Sequence, residues 1–396
     1  MTDTPENDPP NLSPDQAGPA DDKPVAASAV TNESLAASAA QVMTDIPFFA
    51  RMAPDDKTRR LVLDVIGTMP LPGPIAAQLT AARDTRPEVY QHLVRTALTA
   101  AWLVKTPLLS RYDLQMAAAA GMLHDIGMLH VDSVLLQPDR VADLEQRRQL
   151  YSHPLISVGL IEPHHQYPKE VVRAVREHHE CLDGSGYPRN LTGDAMSPLG
   201  KILSLAKVVA AMFAPGRLAP ELRLSVLLRM NTHRYDNALS LQVIGLLQPE
   251  ADVTLVGMTL LDEPIKRLLE IDESLKQWPA ILASDAKVTP ARRDEVKRMG
   301  GHVSQIQRAL ANVGAAPDQL ALLGNEAQDD DLQREMTLLT REVGWQLRTL
   351  ARQTRRRWNA EPGETFPDAL QTWLDRVDTV VAAIAGVETR DNTNGE

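Results

Sequence analysis

The sequence predicts an all-α fold, and three observations lead there. Apolar residues recur at spacings of three and four through almost every patterned segment, as in Val89, Leu93, Ala97 and Ala100, which is the period that lines one face of a helix. Runs of alternating β-branched and polar residues, the mark of a half-buried strand, are missing. The breaks between periodic segments, such as Pro72-Gly73-Pro74 and the stretch from Asn359 to Glu364, are short and turn-rich, as helix connections are.

A chain of 396 residues is too long for one ordinary domain. Residues 1–43 are rich in Pro, Asp, Asn, Ser and Ala and poor in large apolar side chains, so a disordered leader is expected there. Residues 44–84 read as a short helical lead-in, with Leu61, Val62, Val65 and Ile66 on one face. Residues 85–262 form the main helical domain. Residues 263–396 form a smaller C-terminal helical bundle. Its three apolar stripes run through Val296, Met299, Val303 and Ile306, then Leu332 to Leu350, then Phe366, Leu370, Trp373 and Val377. Such stripes suit packing between helices, or the seam of a homodimer, better than cofactor contacts.

Lys and Arg number 41 against 52 Asp and Glu, a net charge of -11. That balance argues against a broad surface for a nucleic-acid polymer but leaves room for a compact anion met at a metal ion. The single cysteine, Cys181, excludes an intrachain disulfide and points to a reducing cytoplasm. No segment approaches the roughly 18 uninterrupted apolar residues of a membrane span, and the N-terminus has neither region of a signal peptide.

Eight of the ten histidines lie between His92 and His179. Neutral imidazole is the commonest protein metal ligand, and added carboxylates supply the anionic charge that suits Fe, Mn or Zn. Glu88 and His92 are four apart, on one face of a helix. His124 and Asp125 are adjacent and in a regular helix would splay by about 100°. A bent helix end, with which Gly127 is consistent, would let both face one site. His130, His164 and His165 sit among polar residues and read as solvated.

These residues fall into recognisable motifs: Leu123-His124-Asp125-Ile126-Gly127, then His153-Pro154, then the eleven residues from His178-His179-Glu180 through Asp183-Gly184-Ser185-Gly186-Tyr187-Pro188. Together they closely resemble the HD-GYP family, over about residues 85 to 250, and His92-Leu93-Val94-Arg95 resembles its first-helix motif. The resemblance implies an all-helical HD fold with a two- or three-metal centre, often iron or manganese, that opens cyclic di-GMP by metal-assisted hydrolysis. Its metal ligands correspond to Glu88, His92, His124, Asp125, His153, His178 and His179, with Asp125 bridging and the His124-Asp125 pair central to catalysis. Gly184, Gly186, Tyr187, Pro188 and Arg95 correspond to its substrate cleft, and the loop they form is also a surface for protein partners.

Three positions depart from the family pattern. Met128 replaces a lysine that contacts the substrate phosphate. In the helix that begins at Lys201, Lys207 and Ala210 replace two aspartates, of which the first is a metal ligand. An ammonium close to a divalent ion is strongly repelled, so Lys207 must lose its proton, turn away or displace an ion. A metal-dependent phosphodiesterase and a catalytically degenerate binding or scaffold protein are therefore the two readings the sequence supports.

Overall fold

The computed structural model describes residues 28–104, 110–136, 144–248, 259–283, 290–322, 329–358 and 366–385. Among them there is no β-strand, only an isolated bridge between Asp183 and Thr192. The all-α expectation is met.

Four helices open the described chain: α1 (Asn32–Asp45), α2 (Pro47–Arg51), α3 (Asp56–Ile66) and α4 (Gly73–Thr85). The expected leader therefore stops short of residue 43. Thr31 caps α1 in a reciprocal pair with Ser34, and Leu35, Ala39, Val42 and Met43 are buried on its inner face. These four residues recur at helical spacing and drop into the main core, which offsets the ordering entropy that their polar neighbours suggested would win. Residues 1–27 lie outside the described part.

The main domain continues with α5 (Pro87–Val104), α6 (Arg111–Leu123), α7 (Leu144–Tyr151), α8 (His153–Ile161), α9 (Lys169–Glu177), α10 (Pro198–Met212), α11 (Pro220–Met230) and α12 (Asn237–Ile244). Helices α5 and α6 form its centre, and Leu93, Val94, Ala97 and Leu98 of one and Ala117 to Ala120 of the other are buried in the same core. The run of alanines lets the two backbones approach closely, which brings their ends, and the histidines they carry, to one place.

Beyond residue 262 come α13 (Pro264–Lys276), α14 (Trp278–Ala283), α15 (Pro290–Asn312), α16 (Pro317–Leu320), α17 (Asp330–Trp358) and α18 (Asp368–Ala385). Their second core holds Val296, Met299, Val303, Leu339, Val343, Leu347, Trp373 and Val377, all at the expected stripe positions. Trp278 and Trp373 meet edge to face at 5.0 Å, and the Trp373 indole donates to the Ser274 carbonyl at 2.9 Å. This core also takes Ala219, Val226 and Met230 from α11 and the residue before it, so α11 belongs to both units. Arg229 pairs with Glu335, and Asn231 donates to Glu342 at 2.7 Å, tying α11 to α17. No described helix is long and apolar enough to cross a membrane.

Candidate metal centre

Three histidines owe their positions to helix ends. His124 follows the last residue of α6, His153 begins α8 just after α7, and His178 follows α9. A helix leaves its last carbonyls without intrahelical donors. Each of these rings supplies one: His124 Nδ1 donates to the Gly121 carbonyl at 2.8 Å, His153 Nδ1 to Leu150 at 2.6 Å and His178 Nδ1 to Val175 at 2.7 Å. A carbonyl can only accept, so the hydrogen of each neutral ring is on Nδ1 and the lone pair is on Nε2.

All three Nε2 atoms face Asp125. Its Oδ2 is 3.1 Å from His124 Nε2 and 3.7 Å from His92 Nε2, while its Oδ1 is 3.2 Å from His153 Nε2 and 3.1 Å from His178 Nε2. The carboxylate thus has one imidazole pair on each oxygen. Two sets of ligand atoms lie within 4.8 Å of one another: Asp125 with His153, His178 and His179, and Asp125 with His92 and His124.

The bend that the sequence suggested is present. After α6 the chain turns at Asp125 (φ -111°, ψ 13°) into a short 3-10 helix, Ile126–His130. Gly127 permits it, because a Cβ there would lie 2.3 Å from the His153 carbonyl oxygen. Ser157 clamps the turn, donating to the His124 carbonyl at 2.7 Å and accepting from Gly127 N at 2.9 Å.

Burial pushes His92 and His178 down to about 3, helped by the neighbouring imidazole of His124, and the rings are neutral at ordinary pH. Burial by itself would raise the Asp125 carboxyl, and charge on His124 with N–H donation from His124, His153 and His178 would hold it well below the usual carboxylate range; with the ring hydrogens on Nδ1, an entering cation takes over that role. An ionised carboxylate among neutral rings whose lone pairs converge on it is a repulsive arrangement until a cation enters. His124 Nε2 and Asp125 Oδ1 are buried without a hydrogen-bond partner. The donor set, three imidazoles fixed by carbonyls and one carboxylate, suits a borderline divalent ion.

Glu88 is not brought into either group. It is exposed in the first turn of α5, where solvent and the helix dipole favour a carboxylate, one turn ahead of His92. Arg95 does not line an open cleft: it is 4% exposed, and its Nε donates to the Ala210 carbonyl at 3.1 Å. Ala210 is itself buried, and Met128, half-buried in the turn, offers its carbonyl to Arg86 at 2.6 Å. His130 and His165 are exposed and His164 half-exposed, away from both ligand groups.

The loop from Gly184 to Pro188 closes over His179. Tyr187 stacks on that imidazole at 4.4 Å with 18° between the rings, and Tyr151 packs on Tyr187 at 4.6 Å. Gly186 is required by close approach, since a Cβ there would lie 2.4 Å from Glu180 Cα. Glu180 anchors the loop by accepting from Arg189 N at 2.6 Å and Leu191 N at 2.8 Å. Neighbouring Glu177, fully buried, accepts from Ser197 and pairs with Arg173 and Arg189. Sequence reasoning missed Tyr151, Ser157 and Glu177, which carry no motif signal, and the anchoring role of Glu180 within the motif.

Lys207 points into the site. Its Nζ lies 3.0 Å from His179 Nδ1, and burial pushes the ammonium below its ordinary range. Of the three options open to it, turning away is the one the geometry excludes.

The HD domain family matches residues 76–239. Similar proteins include a 3'3'-cGAMP-specific phosphodiesterase of Vibrio cholerae, 30% identical over 135 residues that make up 34% of this chain and 27% of that one. A cyclic di-GMP phosphodiesterase of the same organism is 30% identical over 151 residues, 34% of this chain and 30% of its own. The cyclic di-GMP phosphodiesterase response regulator RpfG of Xanthomonas campestris is 31% identical over 108 residues, 27% and 28% of the two chains. The match thus spans under a third of each relative's length. The fold and the His124-Asp125 pair at its centre are in keeping with the similarity of residues 76–239 to the HD domain family.

Proposed function

We propose that this protein is a metal-dependent phosphodiesterase of the HD-GYP type, hydrolysing cyclic di-GMP or a related cyclic dinucleotide. The observation that carries this reading is the Asp125 carboxylate, which presents one oxygen to His92 and His124 and the other to His153 and His178. In this reading Asp125 bridges two subsites, and the ions are iron or manganese. When bound, such ions supply Lewis-acid polarisation of the phosphate and acidify the attacking water.

The chain's own contribution is orientation and charge. The carbonyls of Gly121, Leu150 and Val175 hold three imidazoles in the tautomer that can bind a cation. Asp125 is kept ionised between them, and Tyr187 shields His179 from water on one face. Gly184, Gly186, Tyr187 and Pro188 form one wall of the substrate cleft, and Glu88 stays available one turn from His92. The protein works in the cytoplasm, its Gly184–Pro188 loop or C-terminal helices meet a protein partner, and it pairs as a homodimer.

One observation favours a second reading. With Lys207 Nζ on His179 Nδ1, a protonated lysine takes the lone pair of that nitrogen and adds positive charge beside the cluster. A domain so altered would hold fewer ions and serve as a binding module that hydrolyses nothing. Incubation of the full chain with cyclic di-GMP and with 3'3'-cGAMP, in Mn or Fe(II), decides between them. Release of a linear dinucleotide or of GMP, lost in Asp125→Asn, supports the enzyme; metal-loaded protein that releases no product supports the binding module.

A further inference from the structure

Of the described tyrosines, phenylalanines and tryptophans, two stand well out in water, Tyr112 at 55% exposure and Tyr151 at 40%. Tyr112 lies in the first turn of α6, at the other end of that helix from His124. Tyr151 is the last residue of α7, two positions before His153. Its backbone is held by the same turn that holds this candidate ligand: Ser152 Oγ donates to the Gln149 carbonyl at 2.6 Å, and His153 Nδ1 to the Leu150 carbonyl at 2.6 Å. An exposed aromatic ring is thus fixed at the edge of the cluster.

Tyr151 ends a row of stacked rings. His179 carries Tyr187 at 4.4 Å and 18°, and Tyr187 carries Tyr151 at 4.6 Å and 31°. Among the described residues no further ring covers Tyr151, and its hydroxyl makes no hydrogen bond. Leu155, four residues on, is 49% exposed. An aromatic held open in this way keeps an apolar face in water, a cost that a ligand stacked on it would remove.

The separation suits a nucleotide. Two ring steps, of 4.4 and 4.6 Å, lead from His179, in the group of side chains that a phosphate would meet through the ions, out to Tyr151. A nucleotide likewise holds its base beyond its sugar, away from its phosphate. Aromatic side chains serve as platforms for unpaired bases because every base has a π-face to offer them.

We propose that Tyr151 is the stacking platform for one base of the cyclic dinucleotide whose phosphate lies at the metal centre, an inference that rests on the phosphodiesterase reading above. A π-face does not read the edge of a base, so this contact takes guanine and adenine alike. It contributes affinity for the class, cyclic dipurine dinucleotides, and no choice within it. Tyr151 belongs to neither ligand group, so its loss leaves the ions in place.

Titration of the Mn-loaded full chain with hydrolysis-resistant phosphorothioate analogues of cyclic di-GMP and of 3'3'-cGAMP tests this. Tyr151→Ala should bind both about tenfold more weakly or worse, and by similar factors, as the loss of one base-aromatic stack requires. Tyr151→Phe should bind as the parent does, whereas Tyr151→Leu, apolar but without a π-face, should resemble Tyr151→Ala. That pair decides alone should the alanine variant fail to fold. Metal content should be unchanged in all three. With the natural dinucleotides KM should rise by the same factor while kcat stays near the parent's, because the stack is present before and during the reaction alike. Binding unchanged in Tyr151→Ala, Tyr151→Leu as tight as Tyr151→Phe, or a loss confined to one of the two dinucleotides would overturn the proposal. A Mn-loaded parent that binds neither analogue would overturn the substrate reading itself, and this inference with it.

Discussion

The Nε2 atoms of His153 and His178 lie 3.2 Å apart, and each ring has already given its Nδ1 hydrogen to a helix carbonyl. Two lone pairs at that distance repel, and Asp125 Oδ1 adds negative charge within 3.2 Å of both. A cation between them converts the repulsion into coordination. Metal removal by a chelator should therefore lower the melting temperature, and added Mn should restore it. A ligand at about a thousand times its Kd contributes on the order of 4 kcal/mol, enough for a shift of several degrees. A scan that does not move on chelation would count against the arrangement.

The pH dependence follows from the buried rings. His92 and His178 have folded values of about 3 against 6.5 unfolded, so between those limits the unfolded chain binds more protons than the folded one. Stability is fully present above pH 6.5 and falls as the pH drops toward 3. Between pH 6.5 and 5 the loss should be on the order of 2 kcal/mol after allowance for coupling between the rings. Urea midpoints of metal-free protein at several pH values measure it, and midpoints that stay level or rise on acidification would refute it.

Gly127→Ala should damage both fold and site. The new methyl would meet the His153 carbonyl at 2.3 Å and Ser157 at 2.8 Å, all backbone or clamped atoms that cannot step aside. Overpacking of this kind costs about 1–3 kcal/mol. Because the displaced atoms belong to the His153 turn, metal content should fall with stability. A variant as stable and as metal-rich as the parent would show that the close approach is not needed.

Most of the histidine and aspartate cluster was legible in the sequence because its members sit at motif spacings that helix ends turn into convergence. His124, Asp125, His153, His178 and His179 meet as the spacing suggests, and His92 joins them from α5. Glu88 and Arg95 do not join that cluster. Four-residue spacing puts Glu88 on the His92 face but says nothing of how far along α5 the ions lie, and the first turn is solvated. Arg95 is one turn the other way, already inside the packing against α10. The start of the fold was misread for a related reason: α1 is held by tertiary burial of four small or medium apolar residues, which composition dilutes among Ser, Asn and Ala.

Lys207→Asp tests the departure at the centre. The substitution removes a half-buried ammonium 3.0 Å from His179 and puts a carboxylate in its place. Metal content should rise toward about two ions per chain, and turnover of cyclic di-GMP should rise with it. If neither changes, Lys207 does not limit the site.

The most direct test of the Asp125-centred site is elemental analysis of the full chain purified without added metal, beside Asp125→Ala. Asp125 is the only residue common to both ligand groups. The wild-type chain should carry at least about one iron or manganese, and the variant should carry almost none, because both subsites lose their shared carboxylate. Wild-type protein with less than about a fifth of an ion per chain, or a variant that keeps its metal, would contradict the account.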